Sequence, residues 1–432
     1  MTNTLLAVSI ALLGGLLMTR AFKPLKLPAV TAYLIAGVLV GPYCLGAVGF
    51  DSIGFGSMES VHALKIVSDV ALGFIAFSIG NEFRLEELKQ TGKQAFTIGI
   101  FQALVATIFV DLALVAAMML LPEGTLSLPQ VITLGAIATA TAPAATLMVV
   151  RQYKAKGKLT DLLLPIVALD DAVGLIVFAV SFGIAKTLIS GDVDLISIIV
   201  NPIVEIVCSL VLGAIMGWVL TQLEKLFNSN TNRLNLTIAV VFLTASLSML
   251  KFHIGPVHVG FSSLLTCMML GTIFCNFCES SEELMDRVDR WTTPLFILFF
   301  VISGAELELN VFLDIAIIGI GLVYIIFRSL GKYFGAMASA KATKCDDSIV
   351  KYLGITLLPQ AGVALGMAIK AVELGPDGAI VRNITLFAVL VYEIVGPFLT
   401  KVALTRAGDI KAEGKTSARE EAKKVLAETQ AK

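Results

Sequence analysis

The 432-residue chain reads as an all-α polytopic membrane protein of thirteen transmembrane helices. Three observations predict that class. Hydrophobic residues make up 57% of the chain and charged residues 15%, against roughly 25% charged in a soluble globular domain. Thirteen mostly apolar stretches are separated by charge, Pro or Gly clusters, and most are near the length that crosses a hydrocarbon core. Lys and Arg fall almost wholly in alternate loops.

In order, the spans lie near residues 4–19, 28–47, 61–80, 95–121, 128–150, 159–186, 195–221, 234–251, 257–277, 292–305, 312–338, 350–370 and 380–404. Loops after the odd-numbered spans carry Arg20, Lys23 and Lys26; Arg84, Lys89 and Lys93; Arg151, Lys154, Lys156 and Lys158; Lys225 and Arg233; Arg287 and Arg290; and Lys341, Lys344 and Lys351. The other loops carry only Lys186, Lys251 and Lys370, at span edges. That alternation predicts an outside N-terminus and a cytoplasmic C-terminus. The first span has no basic region before it and reads as a retained helix instead of a signal peptide.

Composition excludes several classes. Six cysteines include Cys275 and Cys278 at C-x-x-C spacing, with no second pair or nearby His pair to complete a zinc site. A net charge of -1 and the lack of a basic patch give no sign of nucleic acid, and no cofactor motif is present. Residues 406–432 form a charged, Ala-rich tail too short to bury a core, which speaks against an appended nucleotide-sensing domain.

The two halves resemble each other with opposite topology. FSIGNEFRL (residues 77–85) and VISGAELEL (301–309) share G-x-E-x-x-L, at Gly80 with Glu82 and Gly304 with Glu306. Spans two and nine carry packing glycines, Gly37 and Gly41 against Gly260 and Gly271. Inverted repeats of this kind build many secondary transporters, with ion sites where helices break in matching positions. The breaks are expected in spans five and twelve: LGAIATATAPAATLMVV holds Pro143 among Thr133, Thr139, Thr141 and Thr146, and LGITLLPQAGVALGMAI holds Pro359, Gly362 and Gly366. A mid-span proline frees a backbone carbonyl, tolerated in a membrane only where it lines a cavity or binds an ion.

Span six reads VALDDAVGLIVFAV and places Asp170 and Asp171 side by side near mid-membrane. Each carboxylate costs about 3 kcal/mol there, so such residues face a water path or a bound cation. Span eleven, YIIFRSLGKYFGAM, sets Arg328 and Lys332 at i and i+4 on one helix face. Both need acidic partners, and the aspartate pair is a richer source than Asp111 or Asp314. In this reading the first carboxylate pairs with a span-eleven cation. The second, among water, threonine hydroxyls and freed carbonyls, alternates between H+ and a hard monovalent cation; that competition suffices for exchange.

With these motifs in place, the chain resembles the monovalent cation:proton antiporters, in particular the bacterial NapA-like branch of the second cation:proton antiporter family. The likeness covers nearly everything up to about residue 405, including VYEIVGPFLTKVAL (391–404). It implies that Asp171 binds the cation or proton and that Asp170 pairs with the basic group. It places Thr139, Thr141 and Pro143 on the crossed-helix region, and residues 358–362, with Pro359 and Gly362, on its repeat mate. It implies a homodimer in the cytoplasmic membrane, with core helices drawn from about 61–188 and 292–405 and dimerisation helices from about 1–47 and 195–277. The family's span-eleven Lys is followed by x-x-G, a pattern met by both RSLG and KYFG; glycines at both Gly331 and Gly335 favour Arg328, which cannot release a proton. Kef-type potassium antiporters carry a Gln before their Asp and a long nucleotide-binding tail. Neither is present, which favours Na+ or Li+ over K+.

Two other classes fit the sequence less well. A Na+-coupled organic-anion symporter requires a polar vestibule with an anion-reading group, and an intramembrane aspartyl protease requires aspartates on two helices in a G-x-G-D context. Glu82 and Glu306 read as helix-end residues, Glu393 with Tyr392 as a buried structural hydrogen bond, and Phe74, Phe77, Phe296, Phe299 and Phe300 as packing. His62, His253 and His258 are weak pH-sensor candidates, the last two flanking Gly255-Pro256.

Overall fold

The computed structural model describes residues 2–25, 27–47, 54–81, 83–122, 125–190, 200–250, 252–254, 257–307 and 315–410. Within them, helices or pairs of half-helices lie on each predicted segment. The first half contains α1 (Thr2–Phe22), α2 (Ala29–Val40), the short α3 (Met58–His62), α4 (Lys65–Asn81) and α5 (Leu85–Leu120). It continues with the half-helices α6 (Leu128–Ile137) and α7 (Pro143–Gln152), then α8 (Lys158–Ser190). After α9 (Asn201–Glu224) come α10 (Asn230–Ser248) and a hairpin of β1 (Phe252–Ile254) and β2 (Val257–Val259). The second half holds α11 (Ser263–Phe277), α12 (Ser281–Ala305), α13 (Ile315–Ala342), the half-helices α14 (Asp347–Thr356) and α15 (Gly362–Ala371), and α16 (Pro376–Ala407). Seven of the described helices are long and apolar enough to cross a membrane by themselves.

Several boundaries differ from the sequence reading. The start of predicted span nine is strand β2, paired with β1 so that His253 opposes His258. Helices α5 and α12 begin about ten residues earlier than their apolar stretches, because hydropathy reads only the greasy part of a helix. Lys26, Glu82, Lys251, Asp314 and tail residues 411–432 lie outside the described residues, as do the side chains of His253 and His258.

The breaks follow from local chemistry. A capping box of Ser127 and Gln130 starts α6, with a proline in its first turn. Pro143 does not kink a continuous helix: it is the first residue of α7, where its missing N–H is not needed. Residues 138–142 and 357–361 are left unwound, and the Ala142 N–H donates to the Pro359 carbonyl at 2.8 Å where they cross.

Glycines set the closest helix approaches. A Cβ on Gly37 of α2 would stand 2.9 Å from the Gly304 Cα of α12, and one on Gly271 of α11 would stand 3.0 Å from the Asn81 nitrogen of α4. Gly80 in turn lies against the Met268 backbone of α11. At the end of α16, Gly408 adopts φ 90° and turns the chain so that Asp409 reaches the start of α8. The Asp409 carboxylate accepts from the Thr160 N–H and hydroxyl, both at 2.7 Å, and its carbonyl accepts from the Lys156 N–H at 3.0 Å. Gly157, which precedes α8, has no side chain with which to cap it, so the cap comes from the far end of the domain.

Candidate functional site

The two crossed breaks, α8, α13 and α5 converge on one buried ionic cluster. Asp170, Arg328 and Lys332 are 0% exposed and Asp171 is 1% exposed, so charges of both signs are removed from solvent together. Lys332 commits every ammonium donor: to Asp170 Oδ2 at 2.9 Å, to Thr141 Oγ1 at 3.0 Å and to the Thr139 carbonyl at 2.5 Å. Thr141 closes the triangle by donating to Asp170 Oδ2 at 2.5 Å. A buried ion pair holds only when such extra hydrogen bonds satisfy its remaining groups.

Arg328 has a different task from the one its motif favoured. Its guanidinium donates to the carbonyls of Ala138 at 3.1 Å, Ala140 at 2.5 Å and Leu358 at 2.8 Å, and it stacks 4.4 Å from the Tyr392 ring. These carbonyls lie just beyond the C-terminal ends of α6 and α14, each end worth roughly half a negative charge. One guanidinium therefore answers two converging helix ends. The preference for Arg328 as the carboxylate partner is corrected: Lys332, one turn further along α13, is level with Asp170. Both glycines behind that preference serve packing, since a Cβ on Gly331 would lie 2.7 Å from the Ala106 Cα of α5 and one on Gly335 2.9 Å from the Gln102 Cα.

The two aspartates are unequal. Asp170 accepts from Lys332, Thr141 and Gln102 Nε2. Both oxygens of Asp171 are buried without a hydrogen-bond partner among the described residues. The Thr139 hydroxyl donates to its own turn at Ala136 O, 2.7 Å, so this residue brings a carbonyl to the cluster and keeps its hydroxyl proton for the helix end. Pro359 contributes its carbonyl to the crossing, and Gly362 opens α15 with no atom within 4 Å of where a Cβ would sit.

One site-facing residue, Gln102, escaped the sequence reading, and a second, Gln360, was covered only by the range 358–362 without a role of its own. Gln102 is a lone amide in an apolar stretch whose partner is 68 positions away; its polarity inside span four was the available signal. Gln360, next to Pro359, donates to the Ile137 carbonyl at 2.9 Å and to the Tyr324 hydroxyl at 2.9 Å, completing the α6 end. The expected bond between Glu393 and Tyr392 is absent. Tyr392 bonds to the Ile325 carbonyl at 2.7 Å and meets the Ser329 hydroxyl at 2.8 Å, while Glu393 Oε2 is buried without a partner among the described residues. Glu306 forms the C-terminal cap position of α12, as expected of a helix-end residue. Among the described residues no cluster of three His, Cys, Asp or Glu side chains is arranged to hold a metal ion.

Comparison with known proteins agrees with this architecture. The high-affinity Na(+)/H(+) antiporter NhaS3 of Synechocystis sp. is 24% identical over 405 residues, covering 85% of this chain and 83% of its own. Cation/H(+) antiporter 17 of Arabidopsis thaliana is 23% identical over 396 residues, 90% of this chain but only 46% of that longer protein. The solved structure of the sodium proton antiporter MjNhaP1 from Methanocaldococcus jannaschii at pH 8 has the same fold, with a TM-score of 0.63 at 19% identity over 93% of this chain and 95% of that one. The family described as sodium/hydrogen exchanger, transmembrane, matches residues 8–406, and the chain belongs to it.

Proposed function

We propose that this chain exchanges Na+ or Li+ for H+ by letting both compete for Asp171 while the protein alternates its access between the two sides of the cytoplasmic membrane. Cation:proton antiport by a secondary transporter is the activity of its family. The observation that carries the assignment of the site is the asymmetry of the pair: Asp170 is fully bonded, and Asp171 holds two buried oxygens with no partner among the described residues. A carboxylate so placed has to take up a proton or a cation to stay buried.

The reading includes thirteen crossings, an outside N-terminus, a cytoplasmic C-terminus and an inverted repeat. The glycine contacts support the repeat. Span two meets span ten through Gly37 and Gly304, and span nine meets span three through Gly271 and Gly80, which is one contact made twice under exchange of the halves. It also includes a homodimer through helices of the first and seventh spans, whose outward sides carry Leu13, Leu17, Val207, Val211, Ile215 and Trp218. The test is dequenching of a trapped pH dye in proteoliposomes on adding Na+, Li+ or K+, with and without a potential clamp. Na+ and Li+ should drive proton flux and Asp171→Asn should abolish it. Preference for K+ would overturn the cation assignment, and cation-driven flux through the Asn variant would overturn the site.

A further inference from the structure

Gln102 lies on α5 among Ala, Val, Ile and Phe, and solvent does not reach it. A buried amide is costly unless bonded. Its Nε2 donates to the Gly99 carbonyl at 2.9 Å and to Asp170 Oδ1, and its Oε1 has no partner among the described residues. The absence of a side chain at Gly335 is what lets α5 come this close to α13. Lys332 and Thr141 occupy Oδ2 of Asp170, so Oδ1 depends on a donor from a separate helix.

We propose that Gln102 is a positioning residue for exchange: by binding Asp170 Oδ1 it keeps Asp170 the fixed acceptor beside Lys332 and leaves Asp171 alone to trade cation for proton. The inference rests on the reading of Asp171 given above. An amide suits this task because it offers N–H donors at every pH. A carboxylic acid in its place donates only while protonated, and a thioether never does. The charged groups acting on Asp170 are Lys332 and Arg328 of α13 and Asp171 of its own helix; α5 and the break add the uncharged Gln102 and Thr141.

Two substitutions of similar length test this through pH profiles of Na+-driven proton flux in proteoliposomes. In Gln102→Met, Oδ1 loses its donor and is open to protonation, so flux relative to the parent chain falls as pH is lowered. In Gln102→Glu, the protonated acid mimics the amide and the ionised one repels Asp170, so relative flux falls as pH is raised. The deficits are expected to have opposite pH signs and to reach about tenfold at the unfavourable end, the size of one lost hydrogen bond to a charged group. Each profile is scaled to its own maximum, which removes differences in the amount of folded protein. Flat profiles, or deficits of the same sign, overturn the inference. Should the Met variant fail to fold, the Glu variant decides alone: equal loss at every pH overturns it. Asp171→Asn runs alongside. Exchange surviving there refutes the reading of the site, whereas its loss together with flat Gln102 profiles refutes only the role of Gln102.

Discussion

Replacing Arg328 by Met tests whether one guanidinium holds two broken helices together. Methionine is unbranched and long enough to keep much of the packing over Tyr392, so what it removes is the charge and three donated hydrogen bonds to Ala138, Ala140 and Leu358. A buried carbonyl left without a donor costs about 1–3 kcal/mol. Against that, the variant no longer has to desolvate a cation, a saving of several kcal/mol. Over the three carbonyls that cost is about 3–9 kcal/mol, and with the saved desolvation set against its upper part the net loss expected is about 4 kcal/mol. At roughly 2.1 cal/mol/K of unfolding entropy per residue, a chain of this length loses about 4–5 °C in melting temperature. Arg328→Lys keeps the charge but cannot span carbonyls on two elements, and belongs about midway. The assay is thermal unfolding in detergent followed by the folded peak on size exclusion. A Met variant that melts with the parent protein would refute the account, and so would a Lys variant no better than Met.

Stability and transport should separate at the aspartates. Asp170→Asn takes from the buried Lys332 ammonium the carboxylate it is hydrogen-bonded to, a loss of about 3–5 kcal/mol, while Asp171→Asn breaks no hydrogen bond among the described residues and should melt at or above the parent temperature though inactive; equal melting losses would contradict the assigned asymmetry. Gly80→Ala places a methyl onto the Met268 backbone and should abolish recovery of folded protein, whereas Gly319→Ala in α13 meets nothing within 4 Å and should gain up to about 1 kcal/mol from helix propensity, both read as folded yield and melting temperature. Asp409→Ala removes the cap of α8 and should cost about 1–2 kcal/mol, with Asp409→Asn restoring most of it in the same melting assay.

The parts of the fold that could be read in the sequence are those where one residue type has one physical explanation in a membrane. Adjacent aspartates in an apolar helix, and prolines at mid-span, have few uses other than an ion site and a break. Arg328 and Lys332 could not be ranked the same way, because i and i+4 share a face and the glycines after each are required by α5, whichever cation meets the carboxylate. The Asp409 cap was hidden for another reason: it joins residues 249 positions apart and has no periodic signature. Glu393 shows the limit of reading a polar residue by its neighbour, since the hydroxyl beside it in sequence faces Ile325 and Ser329.

Helical geometry itself explains why two adjacent carboxylates come to play different parts. Successive residues of α8 point about 100° apart, so a helix that aims position 170 at Lys332, Thr141 and Gln102 must aim position 171 elsewhere. If spans four and eleven are repeat mates, Asp170 sits between a matching pair: Gln102 comes from one mate and Lys332 from the other. The repeat then supplies two helices that clamp the same carboxylate with unlike donors, a neutral amide on one side and a cation on the other. Under the proposed exchange at Asp171, such a repeat would pair a shared backbone with unlike side chains, and the geometry of Asp170 and Asp171, one anchored and its neighbour open, is what a single exchanging site requires.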